Sequence, residues 1–147
     1  MEKTVYTVGH SNRTLNEFID ILKAYNINIV VDVRRFPVSS RYPWFNKDSL
    51  CQSLKSKGVR YVWMGNLLGG YRTGGYKKYL ESKEYERGIK KLISLIEREK
   101  GYVAIMCSEM LWFKCHRRYI ADTLSSKGFK VVHVISMERT YTHKVKN

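Results

Sequence analysis

Apolar and polar positions follow two spacings along this chain. Five short runs are almost continuously apolar or rich in β-branched residues, which is typical of strands covered on both faces. Between them, apolar side chains recur every three or four positions, which is the spacing of one buried helix face. The runs predict five strands, at residues 4–9, 27–33, 59–64, 102–107 and 130–135.

Helices are predicted between these strands. Thr14 and Glu17 match a capping box, and a helical apolar stripe follows them. Further helices are predicted over residues 46–57, 82–100 and 115–127, and a glycine follows each of them. The glycine-rich segment GNLLGGYRTGGY lacks the phosphate-binding and dinucleotide-binding glycine patterns, so we expect it to be a flap or a packing turn.

The predicted strands and helices alternate strictly along the chain, which favours an α/β fold. We predict a three-layer, doubly wound sandwich with a mostly parallel sheet of about five strands, in a single domain over residues 1–147. Two strand orders fit this alternation, 3-2-1-4-5 and 2-1-3-4-5. The basic segment from about residue 137 to residue 147 could instead form a flexible tail.

Polar chemistry concentrates in the loops that follow the predicted strands. The connections from helix to strand are short and carry little chemistry (NIN, KGVR, EKGY and KGFK). Ligands of doubly wound sheets bind at the carboxyl ends of the strands, where the strand order reverses. The sequence therefore predicts a functional pocket along that edge.

Composition adds a strong positive charge. The chain has 27 Lys and Arg against 13 Asp and Glu, a formal net charge of +14. This charge favours phosphate-bearing partners, either small molecules or nucleic acid. The alternative is a solvated basic surface, and abundant Lys with many Tyr and Ile is also typical of thermophile proteins.

Cysteine usage and the absence of targeting signals indicate a compartment. Three cysteines without framework spacing fit a reducing interior. The sequence shows no signal-peptide pattern and no long apolar stretch, so we expect a cytoplasmic protein without a membrane partner.

Three residues are candidate catalytic groups. Cys115 is expected to open the helix over residues 115–127, where unpaired N–H groups and the charges of neighbouring basic residues would lower its pKa. The alternative is a half-buried cysteine that anchors the helix. His10 ends the first predicted strand and suits acid–base chemistry, or it satisfies loop backbone groups. Glu109 is the second candidate for proton transfer.

An anion site is predicted on the same edge. Arginine guanidinium groups bind phosphate through parallel hydrogen bonds. The alternative for Arg34 is a buried ion pair with Asp32 or Glu109. No metal site is predicted, because C-x7-C-H is not a recognised ligand spacing, and the cofactor is left unknown. The predicted anion-binding residues are Ser11, Asn12, Arg34, Ser40, Arg41, His116 and Arg117.

Three blocks of the sequence resemble a known family. VGHSNRTLNEF, VDVRRFPVSSRYPWFN and C-x-E followed by CHR, in this order, are similar to the family called domain of unknown function 488 (DUF488). The resemblance implies an α/β domain and no assigned reaction. The polar edge that it implies consists of Gly9, His10, Ser11, Asp32, Arg34, Pro37, Arg41, Phe45, Asn46, Cys107, Glu109, Cys115, His116 and Arg117.

Three functions fit these observations. The first is a small enzyme acting on a phosphate-bearing substrate, either a nucleotide or a component of nucleic acid, and this is the one we favour. The second is a nucleic-acid-binding module without catalysis, although no recognised nucleic-acid-binding motif supports it. The third is a thiol-dependent sulfur or redox protein.

Overall fold

The computed structural model describes residues 3–145, which form six strands and six helices. The strands are β1 (Thr4–Gly9), β2 (Ile27–Asp32), β3 (Arg60–Trp63), β4 (Tyr102–Cys107), β5 (Lys130–Val134) and β6 (Thr140–Thr142). The helices are α1 (Leu15–Ala24), α2 (Lys47–Ser56), α3 (Gly65–Leu68), α4 (Tyr76–Tyr79), α5 (Lys83–Arg98) and α6 (Arg117–Ser126). Two short 3-10 turns lie at Pro43–Phe45 and Trp112–Lys114.

All six strands form one sheet, in the order β3-β2-β4-β1-β5-β6. The first five are parallel, and β6 runs antiparallel to β5. The predicted α/β fold with a mostly parallel sheet is confirmed. Both predicted strand orders are wrong, because β4 lies between β2 and β1: Ala104 pairs with Tyr6 on one side and with Val30 on the other.

Helices cover both faces of the sheet, which gives the three layers. Side chains of α5 and α6 pack on one face, where Val103 and Ile105 of β4 meet them. Side chains of α1 and α2 pack on the opposite face, against Ala104 and Met106. Successive residues of a strand point to opposite faces, so β4 is apolar throughout because it contributes to two cores.

The starts of α1 and α6 can be compared with their predicted positions. At α1 the predicted capping box is present: the Glu17 N–H donates to Thr14 Oγ1 at 3.1 Å, and the Thr14 N–H donates to Glu17 Oε1 at 2.8 Å. Helix α6 begins at Arg117, two residues later than predicted, because Cys115 still has extended backbone after the 3-10 turn. The glycine-rich segment begins with the single-turn helix α3 and ends where the single-turn helix α4 begins, and the sequence predicted neither helix.

The end of the chain packs onto β5. Residues 140–142, within the segment for which a flexible tail was left open, form β6, and His143 beyond it is buried. Residues 146 and 147 of that segment lie outside the described residues. Across residues 3–145, every helix falls short of the length and apolarity that crossing a bilayer requires.

Candidate functional site

The carboxyl ends of β1, β2 and β4 open into a cavity of about 700 Å³. A second cavity of about 500 Å³ adjoins it, and both are lined by His10 and Glu109. Arg34, Cys115 and His116 line the first cavity. The other predicted site residues that line a cavity belong to the second: Ser11, Asn12, Ser40 and Arg41.

Arg117 lies beneath this site rather than on a cavity wall, and only 1% of its surface is exposed. Its guanidinium donates to the backbone oxygens of Glu109 and Met110 at 2.8 and 3.1 Å, and to Thr7 Oγ1 at 3.3 Å. These hydrogen bonds hold the loop after β4 against α6. The structure thus places nine of the ten predicted site residues at the two cavities, with Arg117 as their support.

Two thiols meet at the floor of the first cavity. Cys107 ends β4, Cys115 leads into α6, and their Sγ atoms lie 2.8 Å apart. The backbone N–H of Arg117 at the start of α6 donates to Cys115 Sγ at 3.5 Å. The sequence did not predict this contact between the sulfur atoms.

The pKa values of the two thiols are shifted in opposite directions. The hydrogen bond from Cys107 holds the pKa of Cys115 well below its usual range, and the charges of His116 and Arg117 act in the same direction. Burial raises the pKa of Cys107 well above its usual range. These opposite shifts favour Cys115 as the thiolate of the pair, with Cys107 as the thiol that donates to it.

His116 links this pair to β2. Its Nε2 lies 3.0 Å from the backbone oxygen of Val33, so Nε2 carries a proton and donates. Its Nδ1 faces Cys115 Sγ at 3.5 Å. A proton on Nδ1 makes the ring a charged donor to the thiolate, whereas a bare Nδ1 can accept a proton from the thiol.

Arg34 forms a buried ion pair with Asp32, which the sequence analysis gave as the alternative to anion binding. Its Nε and Nη2 donate to the Asp32 carboxylate at 2.9 and 2.7 Å, and the Tyr61 hydroxyl donates to the same carboxylate. The remaining nitrogen, Nη1, lies 3.4 Å from His10 Nε2. The carboxylate therefore orients Arg34, whose remaining nitrogen faces His10 at the cavity wall.

His10 is held as a neutral ring. Burial lowers its pKa to about 4, and the charge of Arg34 adds to this effect. Its Nδ1 donates to the Ser11 backbone oxygen at 2.9 Å, and its ring stacks on Phe45 with centroids 4.2 Å apart. Nε2 is consequently an acceptor, and Arg34 Nη1 is the group that faces it.

Close backbone approaches bring these loops together. A Cβ on Gly9 would stand 1.9 Å from the Glu109 backbone oxygen, and one on Gly65 would stand 1.8 Å from that of Arg34. Only glycine permits such contacts. Ser11 adds a left-handed backbone, with φ of 51°, an uncommon conformation for a non-glycine residue that is often found at functional sites.

Exposed aromatic and basic side chains surround the mouth of the first cavity. Phe36 and Tyr71 are 63% and 83% exposed, and their ring centroids lie 5.8 Å apart. Arg35 donates to the Tyr71 backbone oxygen and lies over the Phe36 ring, which joins the two loops. The sequence placed Arg35 in the polar loop after β2, but neither Arg35 nor Phe36 was selected as a site residue. The other exposed lining residues include Val38, Phe113, Lys114 and Arg118.

Comparison with protein families gives a match over most of the chain. A family model described as domain of unknown function DUF488 matches residues 14–124. That span contains Arg34, the thiol pair and most of the loops described above. No curated protein and no solved structure matches the chain.

Proposed function

Because the chain belongs to the DUF488 family, whose description assigns no reaction, we propose from its site that it is a small enzyme acting on a phosphate-bearing substrate of nucleotide type. Cys115 is its nucleophile. The observation that carries this proposal is the position of Cys115 Sγ at the floor of a cavity with a predominantly basic wall, where Cys107 and the start of α6 donate to it.

The thiolate supplies the chemistry. A thiolate, not a thiol, is the attacking species in cysteine catalysis. Cys115 receives hydrogen bonds from Cys107 and from the start of α6, which stabilise its negative charge. It lines the cavity, so a substrate there can reach its Sγ. We propose that Cys115 Sγ attacks an electrophilic centre of the bound substrate. The bond from that centre to its oxygen leaving group breaks as the bond to sulfur forms, and water later cleaves the covalent intermediate and restores the thiolate.

The charged side chains of the cavity favour an anion. Four basic residues line it, Arg34, Arg35, Lys114 and Arg118, against the single carboxylate of Glu109. The charge of Arg34 is balanced by Asp32. Arg35, Lys114 and Arg118 remain to bind phosphate oxygens. The formal net charge of +14 also attracts an anionic substrate.

The aromatic rim favours a substrate that also carries a ring. Phe36 and Tyr71 are exposed beside these basic groups. Bases stack on exposed aromatic side chains, and each stack contributes about 1–3 kcal/mol. A nucleotide, free or as part of a single strand, offers both a ring and a phosphate. Glu109, at the junction of the two cavities, is proposed to accept and return protons, and His10 is proposed to hold Arg34 in place as a neutral acceptor.

The test measures binding and thiol protection together. A nucleoside diphosphate at saturation is expected to slow alkylation of Cys115 by iodoacetamide. Replacing Arg118 by Gln should weaken its binding about tenfold, since a hydrogen bond to a charged group contributes about 1.5 kcal/mol. Lys91→Gln on the exposed face of α5 is the matched control and should bind as the parent does.

Separate variants test whether the aromatic rim binds the ring of the substrate. Tyr71→Ala and Phe36→Ala should weaken nucleotide binding while leaving inorganic phosphate binding unchanged. Failure of any nucleotide to bind or to protect Cys115 would overturn the proposal. If oligonucleotide affinity is the same in the parent and in the Arg118, Tyr71 and Phe36 variants, the hypothesis of a non-catalytic nucleic-acid-binding module would be favoured instead.

A further inference from the structure

Cys107 has no role in the nucleophilic chemistry described above beyond donating one hydrogen bond. It is 2% exposed, yet it lines the cavity and its sulfur touches that of Cys115. Both residues are free thiols. A second cysteine packed behind a reactive one has a chemistry of its own, because a disulfide can form between them.

We propose that Cys107 and Cys115 form a reversible disulfide, and that the chain thereby reduces small anionic disulfides. The inference shares the Cys115 thiolate with the proposed function but does not require a phosphate-bearing substrate. The two sulfur atoms are already 2.8 Å apart, so bond formation needs only a small movement of the side chains.

The exchange proceeds in two balanced steps. The Cys115 thiolate attacks one sulfur of the disulfide RSSR, the S–S bond breaks, and RS⁻ leaves, which gives a mixed disulfide at Cys115. The Cys107 sulfur then attacks Cys115 Sγ and displaces the second RS⁻, while the Cys107 proton passes to a leaving thiolate. One RSSR gains two electrons and yields RS⁻ and RSH, and the two cysteines are oxidised. The reverse exchange with a reducing thiol restores them.

Burial assigns the order of the two thiols. Cys115 is half-buried and bears the negative charge, so it meets the substrate first. Cys107 is enclosed, and this burial raises its pKa, so it keeps its proton while Cys115 is charged. Formation of the mixed disulfide removes the charge of Cys115, and that makes Cys107 easier to deprotonate when it has to attack.

The cavity favours a disulfide that carries carboxylates. Arg35, Lys114 and Arg118 surround the thiol pair with positive charge. Oxidised glutathione is a suitable probe, because it is a small disulfide with several carboxylates. The predicted reducing compartment would supply the thiol that regenerates the pair.

The experiment incubates the folded protein with oxidised glutathione, blocks the remaining thiols by alkylation, and maps the products by mass spectrometry. The parent should show a disulfide between Cys107 and Cys115, with Cys51 alkylated. Cys107→Ser should instead hold glutathione at Cys115 as a persistent mixed disulfide. Cys51→Ser, which alters a cysteine of α2, is the control and should still form the internal disulfide.

The outcomes separate this inference from the proposed function. A parent protein that retains glutathione at Cys115 as stably as Cys107→Ser does, or that stays fully reduced, would overturn the disulfide. Nucleotide binding and protection of Cys115 would be unaffected by that result. If the Cys107 variant fails to fold, the parent protein alone decides the question. Its product either contains the disulfide between Cys107 and Cys115 or lacks it.

Discussion

His143 Nδ1 lies 2.9 Å from His133 Nε2, in a buried contact that joins the end of the chain to β5. His143 Nε2 is 2.6 Å from the Asp122 carboxylate, and His133 Nδ1 is 2.6 Å from Thr7 Oγ1. The same hydroxyl accepts from Arg117. The residues after β6 are thus connected, through three side chains, to the arginine that supports the thiol site.

Buried histidines should make stability depend on pH. Burial lowers the pKa of His133 well below its usual range, and that of His10 to about 4. In the unfolded chain both rings take up a proton near pH 6.5, so the folded state loses stability as the pH falls below that value. The loss is up to about 1.4 kcal/mol per pH unit for each histidine.

Urea unfolding at pH 7 and pH 5 measures this loss. His133→Asn removes one of the two groups, so its free energy of unfolding should fall less steeply between these pH values than that of the parent. Equal slopes for the two proteins would show that His133 does not fold as a neutral ring.

Arg117 should control both stability and thiol acidity. Arg117→Gln removes hydrogen bonds to two backbone oxygens and a positive charge near Cys115. The free energy of unfolding should fall by about 2–4 kcal/mol, because the backbone oxygens of a partly buried loop lose their charged donor. The pKa of Cys115 should rise, which alkylation rates across a pH series report.

The neighbouring Arg118 provides the control for this change. It is exposed and lies over the Tyr119 ring, so Arg118→Gln should leave the free energy of unfolding within about 0.5 kcal/mol of the parent value. A similar effect of both substitutions would contradict the supporting role of Arg117.

Gly9 should tolerate no side chain. In Gly9→Ala the new Cβ would lie 1.9 Å from the Glu109 backbone oxygen, so the loop after β4 must shift. We expect a loss of about 1–3 kcal/mol in the free energy of unfolding, measured in urea, together with slower alkylation of Cys115. Gly70→Ala is the control, because its Cβ would meet His116 Nδ1 at an ordinary 3.4 Å. Equal stability of the two variants would contradict the close approach.

The sequence predicted the elements because they depend on local spacing. The run of β4 and the apolar stripe of α5 identify a strand and a helix without reference to any neighbour. Strand order has no such local signal, since β4 is apolar whether it pairs with one strand or with two. The insertion of β4 between β1 and β2 was therefore not predictable from these patterns.

The site was predicted more completely as a location than as a mechanism. Chain topology brings the loops after parallel strands to one edge, so His10, Arg34 and Cys115 could be grouped in advance. The contact between Cys107 and Cys115 depends on the 3-10 turn at Trp112–Lys114, which folds the intervening loop back. Burial of Arg117 was also not evident, because arginine is rarely enclosed unless its partners are known.

The most direct measurement is the pH dependence of Cys115 alkylation by iodoacetamide, in a Cys51→Ser background where Cys107 is the only other thiol. If Cys115 is a stabilised thiolate, its rate should change little between pH 6 and pH 8. An ordinary thiol, with a pKa of about 8.5, would react roughly tenfold more slowly for each pH unit below that value. A rate that falls in this ordinary way would contradict the central claim.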